Sequence, residues 1–307
     1  MEQVAESICE ELWFGEDDPA HADKAASDSL SASVAKISGL RPLPVVAQKV
    51  LVELSAREWK AHRVASLMER DPSLATLVLR IANSSFYRRG AATTDIRQAV
   101  TLLGGGKLKE LVVGAAAMSV VRGKTQLARS WRDHCAGTAA VGRQLAVMVG
   151  SSVDPSVAFL SGLLHDLGKL LLLETREIAY DVMAEAQAPS DEDMPAAERV
   201  VCGFDHAVLG GHVLRTWEIP DPVPRIVAWH HQPVRAYDAD RFTADHVALL
   251  RLADRITERL DADIEVEPAF VAESTEGQWL GISGHAYDAR AASIEASRQE
   301  MLAAFGA

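Results

Sequence analysis

Cysteine is scarce in this chain: three in 307 residues, at Cys9, Cys135 and Cys202. They are scattered, odd in number and form no CxxC pair. That argues against a disulfide framework and for reduced thiols in a cytoplasmic protein. Basic charge is short as well. Lys and Arg number 31 against 43 Asp and Glu, for a net charge of −12. Such a chain has no general attraction for nucleic acid or anionic lipid, and no basic-aromatic patch argues otherwise. The opening "MEQVAESICEELWFGEDD" is acidic where a secretory leader needs a basic region. No uninterrupted apolar run reads as long enough to span a bilayer. Alternating β-branched runs are nearly missing, so strands are not expected. Repeats and low-complexity tracts are lacking too.

What is present is a core. Hydrophobic residues make up 48% and charged residues 24%. That suffices for two domains, or for one large helical domain with an appendage. Residues 1–36 read as an acidic, Ser/Ala-rich segment with a short amphipathic helix near Val4 to Phe14. From Leu40 the pattern turns helical. "RPLPVVAQKVLVEL" starts on prolines and keeps helical spacing through Val46, Val50 and Leu54. Asp71-Pro72 splits the next stretch into two helices, with Asp71 as cap and Pro72 in the first turn. Gly104-Gly105-Gly106 breaks the following pair. Residues 37–124 thus form a bundle of about five helices.

A second helical set occupies residues 125–262. Leu127, Trp131, His134, Thr138, Val141, Leu145 and Met148 fall on one stripe, so His134 lies on an apolar face. "SGLLHDLGKLLLL" places His165, Asp166 and Lys169 inside a core-like run. His206 shares a face with Leu209, Gly210, Val213 and Trp217. His230-His231 end a short helix that Pro233 stops. Asp254 sits one turn after Leu250. Residues 263–307 read as a loop and a final helix from about Ala286.

A carboxylate in such a run is costly unless a hydrogen bond, an ion pair or a metal compensates it. His134, His165, Asp166, His206, His230 or His231, and Asp254 are all imidazoles or carboxylates on apolar helix faces. That donor mix suits Zn, Mn or Fe, and an adjacent His and Asp can serve one metal or bridge two. Paired metals suit phosphoester cleavage. Each residue also has an ordinary explanation. A lone histidine can be a core residue with one backbone partner. Asp254 can pair on the surface with Arg251 and Arg255. His230-His231 can be a polar helix end. Lys169 can lie solvated on the far face. His21, His62, His212 and His246 fall outside the pattern.

Taken in order, His134, His165-Asp166 and Asp254 resemble the signature of the HD superfamily. The stretches "LRPLPVVAQKVLVEL", "DPSLATLVLRIANSSFY", "DIRQAVTLLGGGKLKELVV" and "FDHAVLGGHVLRTWEIPDPVPRIVAWHHQP" resemble the HDOD family (HD-related output domain), over about residues 36 to 260. The resemblance implies an all-α fold, with an N-terminal helical bundle packed on an HD-like bundle. It implies a regulatory part in bacterial signal transduction through protein partners, often beside cyclic-dinucleotide modules, and without established catalysis. The extra histidines are similar to ligands of HD-GYP phosphodiesterases, which cleave cyclic di-GMP. Carried over, His134, His165, Asp166, His206, His230, His231 and Asp254 become ligands of a divalent metal (Fe, Mn, Zn or Mg). Lys169 then contacts the phosphate of a phosphate-containing ligand. The Gly-Tyr-Pro block itself is missing, since "QPVRAYDADRF" follows His231.

Overall fold

The computed structural model describes residue 32 and residues 43–84, 87, 88, 90, 92–120, 125–175 and 194–305. The expected N-terminal segment with its amphipathic helix lies outside these, residue 32 apart. Among the described residues there are fifteen α-helices and no strand. The fold is all-α, as the patterning requires.

The first bundle comprises α1 (Val45–Ser55), α2 (Ala61–Met68), α3 (Pro72–Ala82) and α4 (Ile96–Val120). Local signals set its boundaries. The Asp71 carboxylate accepts from the backbone N–H of Ser73 and Leu74, both at 3.1 Å, with Pro72 in the first turn. That satisfies donors the helix start leaves open. The glycine run does break α4: Gly104 has φ 73° and ψ 166°, so the chain kinks there.

The second bundle comprises α5 (Gln126–Val149), α6 (Pro155–Leu164), α7 (Leu167–Thr175), α8 (Met194–Cys202), α9 (His206–Thr216), α10 (Val223–Trp229), α11 (Pro233–Ala239) and α12 (Arg241–Asp261). The stretch after it is more ordered than a loop. It carries α13 (Pro268–Glu273) and α14 (Thr275–Leu280) before α15 (Gly284–Phe305).

Helix α5 is the central strut, packed against α6, α12 and α15. Helix α4 packs on α6 and joins the two bundles. One buried apolar cluster runs through both, from Leu43 through Leu111 and Leu163 to Met301. Helices α6 and α7 together make an apolar stretch, Pro155–Glu174, that is long enough by composition to cross a membrane. This departs from the expectation that no such run exists. The stretch is 83% buried inside the protein, the burial of a core element.

Candidate metal centre

The His165-Asp166 doublet lies at the turn between α6 and α7, and both residues are buried. Its neighbours come from four other helices. Helix α5 brings His134, α9 brings His206, the end of α10 brings His230 and His231, and α12 brings Asp254. The fold therefore gathers every imidazole and carboxylate singled out above into one place.

Two triads result. His134, His165 and Asp254 hold their donor atoms within 4.8 Å of one another, as do His206, His230 and His231. Asp166 stands between them. Its Oδ2 is 3.5 Å from His165 Nε2, and its Oδ1 is 3.2 Å from His206 Nε2. Asp254 Oδ1 lies 2.8 Å from His134 Nε2 and 3.4 Å from His165 Nε2. His231 Nε2 is 3.1 Å from His206 Nε2.

The far nitrogens explain this orientation. His165 Nδ1 donates to the Gly162 carbonyl at 2.8 Å, and His230 Nδ1 to the Val227 carbonyl at 2.6 Å. His134 Nδ1 donates to Asp261 at 2.9 Å, and His206 Nδ1 to Glu198 at 2.7 Å. Four imidazoles thus keep a proton on Nδ1 and turn Nε2 inward, the arrangement by which histidines are oriented toward a metal. His230 Nε2 is buried without a hydrogen-bond partner, and His165 Nε2 and Asp166 Oδ1 have only the poorly formed contacts given above. Buried polar atoms left this way are rare, and a bound ion would account for three at once. The donor set fits a metal, which would supply Lewis acidity and charge compensation there.

Electrostatics agree with the geometry. Burial disfavours the Asp166 carboxylate, but His165 and Lys169 beside it hold it well below the usual range. Asp254 is likewise held well below by His165 and His134, against its burial. Burial lowers His206, yet the Glu198 charge carries it up to about 10. His134 ends well above its ordinary value because Asp254 and Asp261 outweigh burial. His230 is pushed well below by burial and by the charges of His165 and His206. Without metal, imidazolium protons neutralise the carboxylates. A metal would displace those protons.

The ordinary explanations for single residues give way in several places. Lys169 is not solvated: it is buried and donates to Asp166 Oδ2 at 2.9 Å. Asp254 does not pair with Arg251 or Arg255; both arginines reach Glu276 instead, at 2.9 and 3.1 Å. His230 is buried rather than a solvated helix end. His246 is an ordinary core histidine, with Nε2 accepting from the Asp154 N–H and Nδ1 donating to the Phe242 carbonyl.

Glu198 and Asp261 were not anticipated. Each left a weak trace. Glu198 falls on the stripe Met194, Pro195, Glu198 and Cys202 that α8 buries, an acid among apolar positions. Asp261 follows Asp254 by two turns of α12, on the same face.

A helical bundle built around a His/His-Asp/Asp cluster is the arrangement that the resemblance to the HD superfamily implies. Residues 40–233 match the HDOD domain family, nearly two-thirds of the chain, and the chain belongs to that family. A solved Geobacter sulfurreducens structure, an HDOD domain protein with unknown function, is similar at a TM-score of 0.66 and 20% identity, covering 91% of this chain and 98% of its own. A Shewanella amazonensis SB2B structure that bears the name "Putative phosphohydrolase" has a TM-score of 0.70 and 22% identity, covering 89% of this chain and 97% of its own. A Treponema pallidum (strain Nichols) protein without a characterised role is 22% identical over 203 residues. The match takes in 66% of this chain and only 40% of that relative's length.

Proposed function

We propose that this chain is a cytoplasmic HDOD signalling module that holds divalent metal in its HD-like bundle and acts through protein partners. The observation that carries the reading is Asp166 set between two triads whose inward atoms are buried and partly orphaned. The histidine-rich donor set favours Zn, Mn or Fe over Mg. His165, Asp166, His206 and His230 are at most 1% exposed, which leaves a substrate little access to a metal held there. The role in signalling and the partners rest on the family.

A second reading, a metal-dependent phosphohydrolase acting on a cyclic dinucleotide or a similar phosphoester, draws on one feature. Asp166 shared between two triads, with Lys169 beside it, is what a paired-metal hydrolase uses. The first test is the metal content of protein purified without chelators or affinity nickel, against the His165→Ala/Asp166→Ala double variant. Near-stoichiometric metal that the variant loses supports the metal centre that both readings share, and without turnover it supports the module. Folded wild-type protein free of metal sinks both readings. Turnover of cyclic di-GMP, lost in the same variant, moves the assignment to the hydrolase.

A further inference from the structure

The family match ends at residue 233, yet the centre does not. Two chains of polar contacts run into it from the C-terminal part of the protein, and each ends on a different triad.

The first starts on α14. Glu276 is buried, and its two oxygens accept from Arg251 Nε at 2.9 Å and from Arg255 Nη1 at 3.1 Å. Arg251 then donates from Nη1 to the His230 carbonyl at 2.6 Å. That carbonyl lies at the end of α10, where a helix leaves carbonyls without intrahelical partners. The guanidinium therefore closes α10 and sets the path of the chain through His230 and His231. Helix α14 is held to α12 a second time, because Trp279 Nε1 donates to Asp245 at 2.9 Å.

The second starts on α15. The Arg298 guanidinium donates to Asp261 Oδ1, and Asp261 Oδ2 accepts from His134 Nδ1 at 2.9 Å. This carboxylate orients the His134 ring and raises its basicity as a ligand. Glu276 and Arg298 are buried while their partners are partly exposed, and charge networks of this kind stabilise a fold poorly compared with apolar packing, so their place here calls for another reason.

We infer that the C-terminal part, outside the family match, positions the ligands of the metal centre: Glu276 and Arg251 set the His206/His230/His231 triad, and Arg298 and Asp261 set the His134/His165/Asp254 triad. The inference rests on the proposed metal reading. Arg251, Glu276, Arg298 and Asp261 are positioning residues, since none offers a donor atom to either triad.

The experiment is a titration of the chelator-stripped full chain with Zn²⁺, in wild type and in Arg251→Met, Glu276→Gln, Arg298→Met and Arg251→Lys. Wild type is expected to take up two Zn²⁺. Arg251→Met and Glu276→Gln weaken one of the two by about 10- to 100-fold and spare the other. Arg298→Met weakens the other one. Arg251→Lys, which keeps a donor for the carbonyl, restores most of the lost affinity. A merely structural role predicts that both sites weaken together, in step with a falling Tm, and that result overturns the inference, as does unchanged binding. Hydrogen exchange of the stripped protein separates the two layers of the argument. Arg251→Met should speed exchange in residues 226–233 while α1 to α4 stay as they were. Wild type that binds no Zn²⁺ refutes the metal reading. Unchanged exchange in residues 226–233 refutes the positioning role on its own.

Discussion

Gly168→Ala is a one-methyl change that should disturb the centre from outside its ligand set. Gly168 lies two residues after Asp166 on α7, where the His206 end of α9 presses on it. A Cβ built there would lie 2.0 Å from the His206 carbonyl oxygen and 2.9 Å from its Cα. Ordinary van der Waals contact begins near 3.4 Å, so α7 and α9 must part by about 1.4 Å, the difference of the two values. Both atoms are backbone, so no side chain can rotate away to make room. Overpacking of this kind costs about 1–3 kcal/mol, which for a chain of this size lowers Tm by roughly 2–10 °C. The shift also carries His206 away from Asp166, to which its Nε2 stands at 3.2 Å. Metal affinity at that triad should therefore fall with the stability. The assay is urea unfolding of the chelator-stripped chain, followed by Zn²⁺ titration of wild type and variant. An alanine variant as stable as wild type, with unchanged metal affinity, would show that the approach of α7 to α9 does not set the site.

The junction between the bundles offers a pH test. Burial raises the Glu110 carboxyl to about 6, against the help of a Ser156 hydrogen bond and the Arg143 charge. An acid raised above its unfolded value of 4.5 penalises folding in full above about pH 6, and the penalty fades as pH falls to 4.5. Glu110→Gln should then stabilise the protein at pH 8 by about 1–2 kcal/mol and do little at pH 4.5, as urea unfolding at both values would reveal. An equal effect at the two pH values would refute the assignment. Gly104→Ala should destabilise by about 1–3 kcal/mol from backbone strain alone, since φ 73° suits glycine and no atom lies within 4 Å of the added methyl. A neutral Gly104→Ala in thermal unfolding would mean that the kink relaxes without cost.

Much of the fold was legible because its signals are local. Asp71-Pro72 and Asp154-Pro155 each start a helix through a cap and a first-turn proline, both readable from neighbouring residues. The periodicity that put His134 on an apolar face needs only one helix. The C-terminal stretch was harder to read. Helices α13 and α14 have six residues each, too short to show a period, and they hold their shape by packing on α15 and α12.

The candidate site divides along the same line. Sequence by itself determined which residues are imidazoles and carboxylates on apolar faces, and their order along the chain, because burial of a helix face leaves a periodic trace. Tertiary structure alone decided that they form two triads about Asp166, because convergence depends on how six helices cross, and no local pattern encodes a crossing. It also decided the partners that sit behind the ligands. Asp254 stands beside Arg251 and Arg255 in the sequence, which invites a surface ion pair, yet the helix turns the arginines to Glu276 and the aspartate to His134 and His165. Arg255, adjacent to Asp254, points about 100° away from it, whereas Arg251, one turn back on nearly the same face, is taken by Glu276 and the His230 carbonyl, so proximity in the chain is no guide to partnership in the core.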